Sequence, residues 1–168
     1  TVAELTTNPV TNIINTHTHF DHVSGNVEFP ATVDIVAHEN TQRLMREWNE
    51  ITGFGIAGED VFGANNGMGI ATRTFSDRMT LGNGADQVDL YYFGRGHTGG
   101  DVIVFLPAEK VVFTGDLLPA TAPYLGDSWP EEFIETLEKL RSLDFDTILP
   151  GHGPVIRDLS HIDFTQNY

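Results

Sequence analysis

The sequence predicts an α/β or α+β sandwich, on three observations. Six short β-rich runs recur along it, two segments carry apolar residues at helical spacing, and no stretch is repetitive, low in complexity or linker-like. Strands mixed with covering helices bury their apolar faces as packed layers. The strands are expected at residues 13–15, 33–37, 88–93, 102–106, 111–114 and 147–149, where β-branched and aromatic residues cluster. A helix over 39–48 would set Leu44, Met45 and Trp48 on one face. A second over 131–143 would do the same with Phe133, Ile134, Leu137, Leu140 and Leu143. Ser128 followed by Glu131 reads as a capping box, with Pro130 tolerated in the first turn. The glycine-rich segment 53–69 lacks periodicity and reads as a long loop. Its Phe54, Phe62, Asn65 and Asn66 either line a pocket mouth or belong to a plain surface loop.

Composition narrows the function classes. At 168 residues the chain reads as one domain spanning 1–168. It is 40% hydrophobic and 20% charged, the balance of an ordinary soluble protein. No apolar run approaches the roughly 20 residues that cross a bilayer, so no membrane partner is expected. The opening TVAELTTNPV has neither a basic head nor an apolar core and does not read as a secretory signal; the compartment stays open. Cysteine is absent, which excludes disulfides and thiolate ligands. Nine basic against 24 acidic residues give a net charge of −15. Such a surface repels phosphate backbones, and Arg43 with Arg46 and Lys139 with Arg141 read as solvated helix faces. Nucleic acid is not an expected partner; a small-molecule substrate is, and a homo-oligomer is left open.

The chemistry sits in four segments. Residues 17–22 hold His17, His19, Asp21 and His22, all good ligands for a borderline divalent ion. In an extended stretch His17, His19 and Asp21 would share a face, and a turn near Asp21 would swing His22 toward a second ion. Three later segments each run from an apolar strand through glycine to a potential ligand: His97 after Gly96, Asp116 after Gly115, and His152 after Gly151. Loops at one sheet edge let rigid strands aim such side chains at a shared point. Taken singly, His97 or His152 would read as a hydrogen-bonded structural histidine; four such segments together reverse that. Gly94, Gly96 and Gly99 mimic a dinucleotide-binding fingerprint, but a strand-like run, not a helix, follows them.

These segments strongly resemble the metallo-β-lactamase-fold hydrolase superfamily. Its H-x-H-x-D-H motif stands as His17, His19, Asp21 and His22, followed by His97 in GHTGGD, Asp116 in TGDLL and His152 in PGHGP. The resemblance implies an αββα sandwich lacking part of the N-terminal sheet, since only about sixteen residues precede the motif. By the same token the chain is expected to represent its domain incompletely at both ends. It also implies that His17, His19 and His97 hold one metal, that Asp21, His22 and His152 hold a second, and that Asp116 bridges them. The cofactors expected are two divalent ions, zinc first, with iron or manganese as alternatives. The expected activity is hydrolysis of an ester, lactone, thioester or amide-type bond by a hydroxide bridging the ions, with Asp21 and Asp116 as catalytic residues. Antibiotic hydrolysis is not favoured, because the β-lactamase classes generally differ from this full set with a bridging aspartate.

Thr16, Thr18 and Thr98 stand close enough to support the ligands, whereas Asp101, His38 and His161 read as structural. Residues 119–129, with Tyr124, Asp127 and Trp129, either wall the substrate site or pack the following helix. Two alternatives remain beside the hydrolase. One is a mononuclear iron oxygenase on the same fold using His17, His19 and His97; the other is a non-catalytic module stabilised by metal. A diiron flavoprotein fits less well, since those tend to carry Glu where His19 stands.

Overall fold

The computed structural model describes residues 2–47 and 60–168. In chain order its elements are α1 (Val2–Leu5), β1 (Asn12–Ile14), α2 (Phe20–Val23), β2 (Asp34–His38), α3 (Glu39–Glu47), α4 (Val61–Ala64), β3 (Arg73–Phe75), β4 (Arg78–Leu81), β5 (Val88–Tyr91), β6 (Ile103–Leu106), β7 (Val111–Gly115), α5 (Pro130–Leu140), β8 (Thr147–Pro150) and α6 (Ser160–Gln166). Strands β1, β2 and β3 form a parallel sheet in that order, and β4 to β8 form a second sheet in sequence order. The second is antiparallel until its last pair, where β7 runs parallel to β8.

Three apolar layers hold these elements together. Val36, Phe75, Leu90, Val102 and Val104 meet between the two sheets. Ile35, Ala37, Met45 and Phe62 pack on the outer face of the first sheet, under α3 and α4. Phe133, Leu137 and Leu140 of α5 and Ile162 of α6 cover the second sheet over Ile103, Val112 and Ile148. Burying a side chain of this size stabilises by roughly 1.5–3 kcal/mol. The layering is the αββα sandwich, and the first sheet has three strands among the described residues.

Several expected elements shift. Helix α5 ends at Leu140, so Leu143 packs against the core from beyond its end, and Ile134 is 48% exposed instead of sharing the buried face. The capping box does not form: Trp129 is the N-cap without a side-chain bond, and the Ser128 hydroxyl donates to the Leu125 carbonyl. Within 53–69, Phe62 is buried in the core and is not at a pocket mouth. Asn65 and Asn66 are exposed, and Phe54 and Trp48 lie outside the described residues. Strands β3 and β4 and helix α6 were not anticipated, being short and built largely from polar residues.

Candidate metal centre

The four ligand-bearing segments follow strands, one from the first sheet and three from the second, and their side chains meet in one place. Just past β1, the Asn15 amide donates to Val36 O at 2.9 Å, and Val102 N–H donates to Thr16 O at 2.6 Å, tying the start of the motif to both sheets. The Asn15 side chain then donates to His22 O and exchanges hydrogen bonds with buried Asn26, closing the motif's far end. The segment does not stay extended. Helix α2 begins at Phe20, so Asp21 and His22 lie on one helical turn and form, with His152, a second donor group beside the first, the His22 ring centroid 4.1 Å from that of His17. On the second sheet, Gly115 pairs with Pro150 across the parallel β7–β8 edge, which sets Asp116 beside Gly151 and His152. Gly151 is needed there: a Cβ on it would stand 2.1 Å from Asp116 Oδ1 and 2.9 Å from His22 Cε1. Gly115 has φ +51° and would drive a Cβ to within 2.6 Å of Thr16 Oγ1.

Two donor sets result. His17, His19, His97 and Asp116 form one, and Asp21, His22 and His152 the other, the donor atoms within each set lying within 4.8 Å of one another. His97 Nε2 is 3.0 Å from His19 Nδ1, and the His17 ring lies 4.9 Å from the His97 ring between centroids. In the second set His152 Nε2 is 3.0 Å from Asp21 Oδ2 and 3.3 Å from His22 Nε2. Asp116 joins the sets. Its Oδ2 stands 3.7 Å from His97 Nε2 and 3.4 Å from His152 Nε2, while Oδ1 is 3.3 Å from His22 Nε2. All seven predicted residues therefore converge.

The donors fit a bound metal on their own chemistry. His17 Nε2 is buried without a hydrogen-bond partner, and Asp116 Oδ1 is buried with only the His22 ring nitrogen near it at 3.3 Å; such orphaned donors and acceptors are rare in folded proteins and fit a bound ligand. The rest are imidazole nitrogens and carboxylate oxygens, the donors divalent zinc and its neighbours prefer. Burial, reinforced by the facing imidazoles, holds His17 well below the ordinary histidine range, and burial brings His97 to about 4. Both rings are thus neutral at pH 7, as ligation requires. For His19 burial acts downward too, but the Asp127 carboxylate, joined by Asp116 and Asp21, raises the ring's pKa on balance. Burial pushes the Asp116 carboxyl upward, yet His22, His97 and His152 together hold it below the usual carboxylate value.

Around the donors, Thr16 Oγ1 lies 3.2 Å from His17 Nδ1, as expected of a supporting residue. Thr18 Oγ1 has no partner, and Thr98 instead donates from N–H and Oγ1 to Asp101. Asp101 so fixes the turn after His97, and its burial pushes its carboxyl up to about 6. His38 is structural, stacked on Tyr92 with Nε2 bonded to Ser76 O, and His161 Nε2 donates to Pro119 O at 2.7 Å. The cleft over the donors has a volume of about 240 Å³ and is walled by Phe20, Pro119, Thr121, Ala122 and Tyr124. Segment 119–129 is thus a wall, though Trp129 lies outside it, stacked under the Arg95 guanidinium at 3.8 Å. The sequence reading missed two contacts from this segment. Asp127 Oδ2 bonds His19 Nε2 at 2.9 Å, and Tyr124 O takes His97 Nδ1–H at 3.2 Å. Local periodicity carries no signal for pairs so far apart.

Residues 2–152 match the metallo-beta-lactamase superfamily. The chain belongs to that superfamily. It is 30% identical over 152 residues to the 2,4-dinitroanisole O-demethylase subunit alpha of Nocardioides sp. (strain JS1661), covering 86% of this chain and 40% of that one. Against a hydroxyacylglutathione hydrolase of Nostoc punctiforme identity is 27% over 158 residues, covering 88% and 52%. The chain thus spans about half or less of these relatives. A metallo-beta-lactamase from Pontibacter korlensis superposes with a TM-score of 0.74 at 24% identity, covering 98% of this chain and 73% of that one, a likeness of fold. Among the described residues no helix is long and apolar enough to cross a membrane.

Proposed function

We propose that this superfamily member is a dinuclear metal-dependent hydrolase of uncharged small molecules, cleaving an ester, lactone, thioester or amide-type bond. One observation carries the reading: two adjoining donor sets meet at Asp116 on the floor of a single cleft, with His17 Nε2 lacking a hydrogen-bond partner. His17, His19 and His97 would hold one ion, Asp21, His22 and His152 the other, with Asp116 between them. When bound, a pair of divalent ions, zinc for preference, supplies Lewis acidity and brings the pKa of water from 15.7 toward about 7.

The chain's own residues do the rest. Asp21 stands at the cleft, its side chain 37% exposed, where it can orient the attacking water, accept its proton and return it to the leaving group. A C–O bond forms as the scissile bond breaks. Among the described residues no serine or cysteine lines the cleft, and the reading calls for no covalent intermediate. Phe20, Pro119, Ala122 and Tyr124 give the substrate an apolar seat. None of the chain's nine Lys and Arg residues is among the lining residues, and the segment 48–59 contains none. A substrate carboxylate would meet no basic side chain there, in a protein of net charge −15, and could turn only to the bound ions, which the scissile group must itself occupy. The Nocardioides relative is named for an uncharged aryl methyl ether, in keeping with such a seat. The carboxylate of β-lactam antibiotics disfavours them, and the acidic surface disfavours nucleic acid.

The test pairs metal analysis with a panel of one ester, lactone, thioester, lactam and phosphodiester, each uncharged and, where chemistry allows, carboxylate-bearing. The expected result is two ions per chain and turnover of an uncharged acyl compound that chelation abolishes. Turnover unchanged after complete chelation would refute the reading. A single iron with oxygen uptake would replace it with an oxygenase.

A further inference from the structure

We infer that Asp127 is a positioning residue of the first metal site, acting through His19, and that it makes the cleft wall part of that site. The inference rests on the assignment of His17, His19 and His97 to one ion. A neutral imidazole carries one proton, and the nitrogen without it presents the lone pair that binds metal. His17 leaves Nε2 unpartnered at the cluster while Nδ1 meets Thr16 Oγ1. His97 also turns Nε2 inward, its Nδ1–H donating to Tyr124 O. His19 is reversed. Its Nδ1 faces the cluster, 3.0 Å from His97 Nε2, and its Nε2 points outward to Asp127 Oδ2 at 2.9 Å.

A carboxylate is an acceptor only, so this contact keeps the proton on Nε2 and the lone pair on Nδ1. It also fixes the ring plane. Without Asp127, the proton on His19 is free to move to Nδ1 and block the binding atom. The carboxylate arrives on residues 119–129, which are secured at both ends near other ligands. Ala120 N–H donates to His152 O at 3.1 Å, and Trp129 N–H to Gly96 O at 2.8 Å, next to His97. Pro119, Thr121, Ala122 and Tyr124 of the same segment wall the cleft. One loop therefore shapes the substrate seat and sets the tautomers of two ligands.

The test is zinc titration of metal-free protein against a chromogenic chelator, for wild type, Asp127→Ala, Asp127→Asn and Ser128→Ala. Asp127→Ala is expected to weaken the tighter-bound ion roughly 10- to 100-fold, the range for losing such an outer bond. Asp127→Asn keeps an oxygen acceptor for Nε2–H and is expected to recover most of that loss. Ser128→Ala removes only the loop's internal bond to Leu125 O and is expected to bind as wild type does. A downfield imidazole N–H proton resonance of zinc-loaded wild type should be present in Asp127→Asn and absent in Asp127→Ala. Folded Asp127→Ala with wild-type affinity for both ions would overturn the inference and leave the proposed function standing. Equal losses in Asp127→Ala and Ser128→Ala would also overturn it, pointing to the loop's stability instead. A wild-type protein that binds no zinc would sink the metal reading itself.

Discussion

The two halves of the centre are built differently, although both gather where strands of the two sheets end. His17 and His97 are each 1% exposed and His19 is 6% exposed. Each of these three rings has its outer nitrogen engaged, by Thr16, Tyr124 and Asp127 respectively. In the other half the His152 side chain is 55% exposed and that of Asp21 37%. Among the described residues nothing bonds the outer nitrogen of His22 or His152. A ring already held by its surroundings loses little freedom on ligation, whereas an exposed one must be ordered at the moment of binding. The first half is thus a preorganised site and the second an adaptable one open to the cleft.

Removing the deepest ligand should do most. His17→Ala is expected to lose the first ion and to lower kcat/KM by more than the roughly 100-fold that an outer contact costs. Metal content and steady-state kinetics check this, and a variant that keeps two ions would erase the distinction between the halves. Next in size is Gly151→Ala. Its Cβ would displace Asp116 or His22, and a shift near 1 Å at a reacting centre costs about 10²-fold in rate. A high-resolution structure with kinetics would show whether the second half adapts instead. His152→Ala should be milder for metal binding, leaving one ion on the buried half. In stepwise chelation of wild type, the ion at Asp21, His22 and His152 is expected to leave first, roughly tenfold more readily. Simultaneous loss of both ions would mean that Asp116 binds the halves into one cooperative unit.

The smallest effect concerns the metal-free protein and acid. His97 and His17 bind fewer protons folded than unfolded, because burial lowers both below 6.5. Their contribution to stability is complete above that value and is lost as the pH falls toward about 4. Asp101 opposes them. Its folded value near 6 exceeds 3.8, so its contribution is complete below 3.8 and is lost as pH rises through 6. Asp101→Asn removes the opposing group, and its Tm should fall more steeply than wild type between about pH 7 and pH 4. The scale is about 2–4 °C for each kcal/mol in a chain of this size. Parallel melting curves would show that Asp101 titrates at an ordinary value in the fold.

Residue type and spacing determined much of this molecule in advance. Ile35, Val104 and Val112 announce strands because β-branched side chains suit a pleated, buried surface. Phe133, Leu137 and Leu140 announce a helix because their spacing makes one apolar stripe. The seven candidate ligands were legible because imidazoles and carboxylates crowd one short motif and recur in three strand–glycine–ligand turns, in the order that resembles the superfamily's motifs. Chain folding alone decided the rest. β3 and β4 exist through their neighbours, since runs of three and four residues that each begin with an exposed arginine are too short to announce a strand. Phe62 could have lined a pocket, and only the packing of α4 on the first sheet sends it to the core. Asp127 and His19 stand 108 positions apart. No local pattern encodes that meeting, because a hydrogen bond depends on where two backbones arrive in space.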